Sequence, residues 1–264
     1  MLVIKNVRKT FNKGTVNEKK ALRGINLTLN DGDFVTIIGG NGAGKSTLLN
    51  MIAGAYPVDS GIIEIDGENI TKQPECKRAK YIGRVFQDPM KGTAADMQIE
   101  ENMALAFRRG ERRRLRWAVT QKEREFYKDA LERLGLGLQS RMTSKVGLLS
   151  GGQRQALTLL MATLKRPHLL LLDEHTAALD PRTAAKVLDL SDRIVQEHGL
   201  TTLMITHNMK DAIAHGNRLI MMDAGQVVVD VSGEEKKKLT VPDLLAMFSR
   251  ASGSDEANDK MLLS

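Results

Sequence analysis

Short apolar runs and helical patterns take turns along the chain. Leu2 to Val7, Gly24 to Leu29 and Phe34 to Ile38 read as strands, with Asn30-Asp31-Gly32 turning between the last two. Asn12 to Lys20 is polar and charged, an exposed connection. After Ile38 come four glycines within six residues, then Leu48, Leu49 and Ile52 at helical spacing, so the pattern predicts strand, turn and helix in succession. Ile62, Ile63 and Ile65 end at Asp66-Gly67, a pair that suits a tight hairpin. Tyr81 to Phe86 is a short strand broken at Gln87-Asp88-Pro89. The character then changes over 93–148, where Ile99, Met103, Leu105 and Ala106, and later Phe126, Ala130, Leu131 and Leu134, recur with helical period. This predicts a helical subdomain inserted into an α/β chain.

Leu169 to Leu172 is continuously apolar, as a buried parallel strand requires, and Thr201 to Thr206 is a second strand of that kind. Between them Asp180-Pro181 starts a helix, Val187, Leu190 and Ile194 form its inner face, and Gly199 closes it. Leu219 to Met222, Asp223-Ala224-Gly225 and Val227 to Val231 make a final hairpin. The expected division is one unit over 1–231 and a charged tail over 232–264, with an amphipathic patch at Leu244, Leu245 and Phe248 and disorder after Ser249.

With 264 residues, 42% of them hydrophobic, the chain can bury one large domain or a core with a subdomain. No apolar run approaches the ~18 residues of a membrane span. Met1 to Val7 alternates like a strand and lacks the continuous apolar stretch of a secretion signal. A single cysteine, Cys76, excludes an intrachain disulfide, which points to a reducing compartment and a structural thiol. The net charge of +7 suits nucleic acid, a membrane surface or an acidic partner equally and decides nothing. Its densest part, Arg108 to Arg116, is a solvated face or a contact for acidic headgroups or an acidic partner.

Chemistry concentrates at four places. Gly39-Gly40-Asn41-Gly42-Ala43-Gly44-Lys45-Ser46-Thr47 fits the phosphate-binding pattern G-x-x-x-x-G-K-[ST]: inward N–H groups and a helix N-terminus cradle phosphate, Lys45 reaches the β- and γ-phosphates, Ser46 meets Mg²⁺, and Thr47 is a weaker donor. Ser150 and Gln153 form a capping box, but Gly151 and Gly152 between them weaken the helix start and leave bare N–H groups for an anion. Asp173 and Glu174 end the Leu169 strand where an open α/β sheet binds its ligands, and His207 ends a strand at the same edge. Phe11 is either a packing residue or a ring for an adenine base.

In this order and spacing, the motifs resemble the ATP-binding cassette of ABC transporters over about Met1 to Val231. The resemblance implies a P-loop NTPase core with an N-terminal antiparallel β-subdomain and the inserted helical subdomain. It makes Gly39 to Thr47 the Walker A loop, Gln87 the Q-loop, Leu149 to Gln153 the signature, Leu169 to Asp173 the Walker B strand, Ala178-Leu179-Asp180 the D-loop and His207 the switch histidine. Glu174 is then the base, acting with His207, Lys45 and Gln87, while Ser46, Gln87 and Asp173 hold Mg²⁺. ATP would lie between the Walker A loop and Phe11 of one copy and Ser150, Gly151, Gly152, Gln153 and Asp180 of another, in a head-to-tail homodimer. Phe11 stands where the family usually has tyrosine, and Met161 to Leu164 lacks an arginine common after the signature helix. His175 stands where proline is usual, which implies a less rigid turn.

The implied partners are an integral-membrane permease at the cytoplasmic face of the membrane and an extracytoplasmic solute-binding protein; nucleic acid is not expected. Asn41-Gly42-Ala43 and the run from Asp173 to Asp180 resemble an importer subgroup with permeases of the branched-chain amino acid type, often assigned to aromatic amino acids. The expected activity is ATP hydrolysis driving amino acid import. An exporter of drugs or lipids, or a soluble cassette for iron–sulfur assembly, is the alternative. A coiled-coil chromosome ATPase would need a long heptad insertion that is absent, and a GTPase would need the N-K-x-D motif.

Overall fold

The computed structural model describes residues 1–111 and 118–252. Arg112 to Trp117 of the basic run, and the segment beyond Ser252, lie outside the described residues.

Two sheets form the frame. The first is antiparallel, in the order β2-β1-β4-β5, from β1 (Leu2–Phe11), β2 (Lys19–Leu29), β4 (Ser60–Ile65) and β5 (Glu68–Asn69). The second has the order β10-β9-β3-β8-β7-β6, from β3 (Phe34–Ile38), β6 (Ile82–Val85), β7 (Leu169–Asp173), β8 (Thr202–Ile205), β9 (Arg218–Asp223) and β10 (Gln226–Ser232). Its neighbours pair in parallel except β9 with β10, the terminal hairpin. β3 is buried along its whole length and β7 along all but its last residue, as continuous apolar runs in a covered parallel sheet require.

β2 begins at Lys19, not at Gly24, and pairs Lys19 with Phe11 and Lys20 with Thr10. β1 likewise outruns Val7. Register shifts between Ile4 and Val7, and again at Lys9, interrupt the two-residue alternation on which the sequence reading depends, so the strand outlasts its pattern.

Helices α1 (Lys45–Ala53) and α2 (Glu75–Arg78) follow β3 and β5. The inserted subdomain contains α3 (Ile99–Phe107) and α4 (Gln121–Glu132), which share a core with α5 (Gly151–Thr163) through Ile99, Met103, Tyr127, Leu131 and Leu157. Leu105 and Phe126, expected on the inner faces, are 58% and 43% exposed. Tyr127 takes the inward position instead and is fully buried.

α6 (Pro181–His198) and α7 (Met209–Ala214) lie either side of β8 in the chain. The segment after Ser232, expected as a tail, forms α8 (Gly233–Lys237) and α9 (Val241–Ser252). Leu244 and Phe248 are buried with Ile38, Ala212, Leu219 and Met221, so the apolar side of α9 completes a third core cluster. Cys76 is exposed on α2, so its thiol fills no core position. Among the described residues, no helix is long and apolar enough to cross a membrane.

Candidate active site

The loop between β3 and α1 closes because its glycines allow it. Gly44 has φ +102°, and a Cβ there would sit 2.7 Å from the Ala21 carbonyl oxygen, so a side chain would be both strained and blocked by β2. Leu48 N–H donates to the Gly44 oxygen at 2.8 Å and starts α1. Lys45, only 5% exposed, folds its ammonium onto the loop, donating to the Gly39 and Gly40 oxygens at 2.6 and 3.2 Å. Burial holds its pKa below the ordinary lysine value, with the charge of Glu174 pulling the other way. A polyphosphate entering the loop would supply the counter-charge.

A cleft of about 210 Å³ opens over this loop, bounded by Asn41 to Thr47, by Phe11, Lys19 and Ala21 from the antiparallel sheet, and by Glu174 and His207. Phe11 is a packing residue that also reaches the cleft. It lines the cleft and also meets Tyr56 edge-on, with ring centroids 5.4 Å apart and planes at 80°. Tyr56 and Lys19 escaped the sequence reading. Lys19 lies in what reads as a connection, and its ammonium comes within 3.5 Å of where a Gly42 Cβ would be.

β7 and β8 run parallel with Asp173 opposite Ile205, so the residues just beyond them share an edge. There His207 Nε2 lies 2.6 Å from Glu174 Oε1, with the carboxylate side chain 11% exposed. The other ring nitrogen, Nδ1, is buried without a hydrogen-bond partner. Glu174 has φ +47°, a left-handed backbone that a side chain adopts at a cost, and its N–H donates to the Ile205 oxygen at 3.0 Å.

Asp173 Oδ2 accepts from Arg84 at 3.0 Å, and the same guanidinium nitrogen donates to Asn50 Oδ1 at 2.9 Å. Burial raises the Asp173 pKa and Arg84 opposes the rise. Arg84 is a second residue missed in sequence; its signal was a cation inside the apolar strand from Tyr81 to Phe86.

His175 overturns the expectation of a looser turn. It is 2% exposed, and its Nε2 lies 2.9 Å from Ser191 Oγ on α6. Burial pushes its pKa down to about 4, so the ring is neutral near pH 7. The turn after Glu174 is anchored to α6.

The α5 start is the capping box read from sequence: Gln153 N–H donates to Ser150 Oγ at 3.3 Å, and Ser150 N–H to Gln153 Oε1 at 3.2 Å. Packing accounts for one of its glycines. A Cβ on Gly152 would fall 2.2 Å from Thr183 Cγ2 on α6, whereas one on Gly151 would be in ordinary contact with Leu179. Asp180 caps α6 by accepting from Thr183 N–H at 3.1 Å. None of Ser150, Gly151, Gly152, Gln153, Asp180 and exposed Gln87 lines the Lys45 cleft within the chain. A wider groove of about 680 Å³ between α4, α5 and α6 carries none of the motif residues.

The donor chemistry suits Mg²⁺. Ser46 offers a hydroxyl at the cleft and Asp173 a carboxylate beside it, both hard oxygen donors. Mg²⁺ keeps several waters and takes phosphate oxygens, so two such protein donors are the number it would need here. Asp173 is already paired with Arg84 at 3.0 Å, so Mg²⁺ would have to share that carboxylate or displace the guanidinium from it.

Comparison with known proteins agrees with this geometry. Residues 22–177 match the ABC transporter family model. The chain is 45% identical over 251 residues to the tyrosine transport ATP-binding protein of Clostridioides difficile (strain R20291), covering 95% of this chain and all of that protein. It is 34% identical over 215 residues to an aliphatic sulfonates import ATP-binding protein of Agrobacterium fabrum, covering 81% of this chain and 75% of that one. Its fold superposes with a TM-score of 0.75 on a dimeric ATP-binding cassette in a post-hydrolysis state bound to ADP and Pi, at 29% identity, over 88% of this chain and 98% of that chain.

Proposed function

The chain belongs to the ATP-binding, ATPase family of ABC transporters, and on that premise we propose that it powers import of a small organic solute, an amino acid of the aromatic class, through a separate permease. The observation that carries the hydrolytic part is the 2.6 Å contact between Glu174 and His207 at the edge of the Lys45 cleft. A carboxylate held there is placed to take a proton from a water attacking the γ-phosphate, and the imidazole, once released from it, to bond the γ-phosphate oxygens. Lys45 leaves the Gly39 and Gly40 oxygens for the β- and γ-phosphates, and Phe11 offers its ring to adenine at the cleft.

Ser46 and Asp173 would hold Mg²⁺, with Gln87 reaching it as the inserted helices move. The ion, when bound, neutralises phosphate charge that develops during transfer. The α5 start, which does not line its own chain's cleft, would meet ATP from a second copy arranged head to tail. Ser150, Gly151 and Gln153 would then offer hydroxyl, N–H and amide groups to the γ-phosphate, with Asp180 close to the shared boundary.

The substrate reading rests on the tyrosine transport relative and on the run from Asp173 to Asp180. On this reading the chain attaches to the cytoplasmic face of the membrane through its permease. The test is to purify the chain with its permease in lipid vesicles and add the extracytoplasmic binding protein with and without tyrosine, phenylalanine or tryptophan. ATPase stimulation by loaded binding protein is the expected result. Stimulation by a membrane-dissolved compound with no binding protein would make the system an exporter, and full activity with no permease at all would favour the soluble alternative.

A further inference from the structure

Glu174 carries the proposed chemistry on a backbone that does not favour its conformation. Its φ of +47° belongs to the left-handed region, which a residue with a side chain adopts at a cost and keeps only when its surroundings hold it. Ala177 N–H closes the turn locally on the Glu174 oxygen at 3.0 Å, and two clamps tie it to other elements. On one side Glu174 N–H donates to the Ile205 oxygen on β8 at 3.0 Å. On the other, the next side chain, His175, is buried against α6 with Nε2 2.9 Å from Ser191 Oγ.

The direction of that bond can be worked out. Ser191 has one hydroxyl proton and lies 2.8 Å from the Val187 oxygen, which can only accept. The hydroxyl is therefore free to receive the His175 Nε2–H, and the imidazole is tied through Ser191 to the backbone of α6. A proline at this position would have no such reach; it would stiffen its own φ but bind nothing on α6.

We infer that His175 is a positioning residue for Glu174: with Ser191 it fastens the turn after β7 to α6, so that the Glu174 carboxylate stays directed at His207. The inference rests on the proposed role of Glu174 as base. If the clamp opens, the left-handed turn can relax and swing the Glu174 Cα–Cβ bond away from the reacting water. A misplacement of about 1 Å in such a site costs up to roughly 10²-fold in rate. ATP binding, which uses the Lys45 loop on a different element, is untouched by that movement.

The test measures ATP turnover and ATP affinity for His175→Ala, His175→Gln, Ser191→Ala and Glu174→Gln in the permease complex. Ser191→Ala removes one oxygen and keeps the fold if His175→Ala does not. The expected result is a fall in kcat of roughly 10- to 100-fold for His175→Ala and several-fold for Ser191→Ala, with KM for ATP unchanged and partial recovery in His175→Gln, which keeps an N–H donor at similar reach. In single-turnover measurements on the Glu174→Gln background, adding His175→Ala should cost nothing further, because positioning acts only through Glu174. Normal turnover by His175→Ala or Ser191→Ala beside an inactive Glu174→Gln would overturn the inference alone. Normal turnover by Glu174→Gln would overturn the role of Glu174 and the inference with it.

Discussion

His207 Nε2 lies 2.6 Å from Glu174 Oε1 because β7 and β8 are parallel neighbours that end at one edge of the sheet. Two residues far apart in the chain are thereby brought to the mouth of the loop that buries Lys45. Carboxylate and imidazole occupy each other, and in the proposed mechanism nucleotide entry would part them before either acted on water or phosphate.

Lys45→Ala separates binding from chemistry. The buried ammonium now donates to two loop carbonyls and would exchange them for phosphate oxygens. Charge-assisted bonds of this kind contribute about 1.5–3 kcal/mol, so the variant should bind ATP roughly 10- to 100-fold more weakly by titration calorimetry. Unchanged affinity would show that Lys45 is not a phosphate ligand.

Gly152→Ala tests whether that glycine serves packing. The added methyl would meet Thr183 Cγ2 at 2.2 Å, so α5 and α6 must shift or Thr183 must rotate. A loss of about 1–3 kcal/mol in urea unfolding is expected, with recovery in the Gly152→Ala, Thr183→Ser pair, which deletes the clashing methyl. Loss of ATPase activity at full stability would instead assign Gly152 to nucleotide contact alone.

A pH signature should come from His215, whose Nδ1 lies 2.6 Å from Asp192 Oδ2. The bond to Asp192 raises the His215 pKa against the opposing effect of burial, with Asp192, Asp211 and Asp189 all adding favourable charge. A raised histidine contributes stability that is fully present below its unfolded pKa of about 6.5 and is lost as pH rises through the higher folded value. Asp192→Asn should therefore destabilise the protein by about 1–2 kcal/mol at pH 6 and by clearly less at pH 9. Equal losses at both pH values in thermal unfolding would remove charge from the interaction.

The glycine loop, the parallel strands and the carboxylate pair were legible in sequence because each depends on local order: glycine spacing, continuous apolar runs and polar residues at strand ends. What escaped depends on partners distant in the chain. The start of β2 at Lys19 is set by pairing across register shifts that erase alternation. The amphipathic patch at Leu244, Leu245 and Phe248 is legible in the charged tail, but its partners Ile38 and Met221 are not. Arg84, Lys19 and Tyr56 carry no motif, and only folding brings them to Asp173, the loop and Phe11. His175 was noticed as a departure but misread, since its meaning lies in Ser191 on another element.

The most direct measurement is ATP turnover and oligomeric state for Glu174→Gln. Replacing the carboxylate by its neutral isostere should lower kcat by roughly 10²- to 10⁴-fold while ATP affinity is retained, and ATP should then hold the chain as a dimer on gel filtration. Hydrolysis at the unaltered rate, with no dimer retained by ATP, would contradict the assignment of Glu174 as the base of this site.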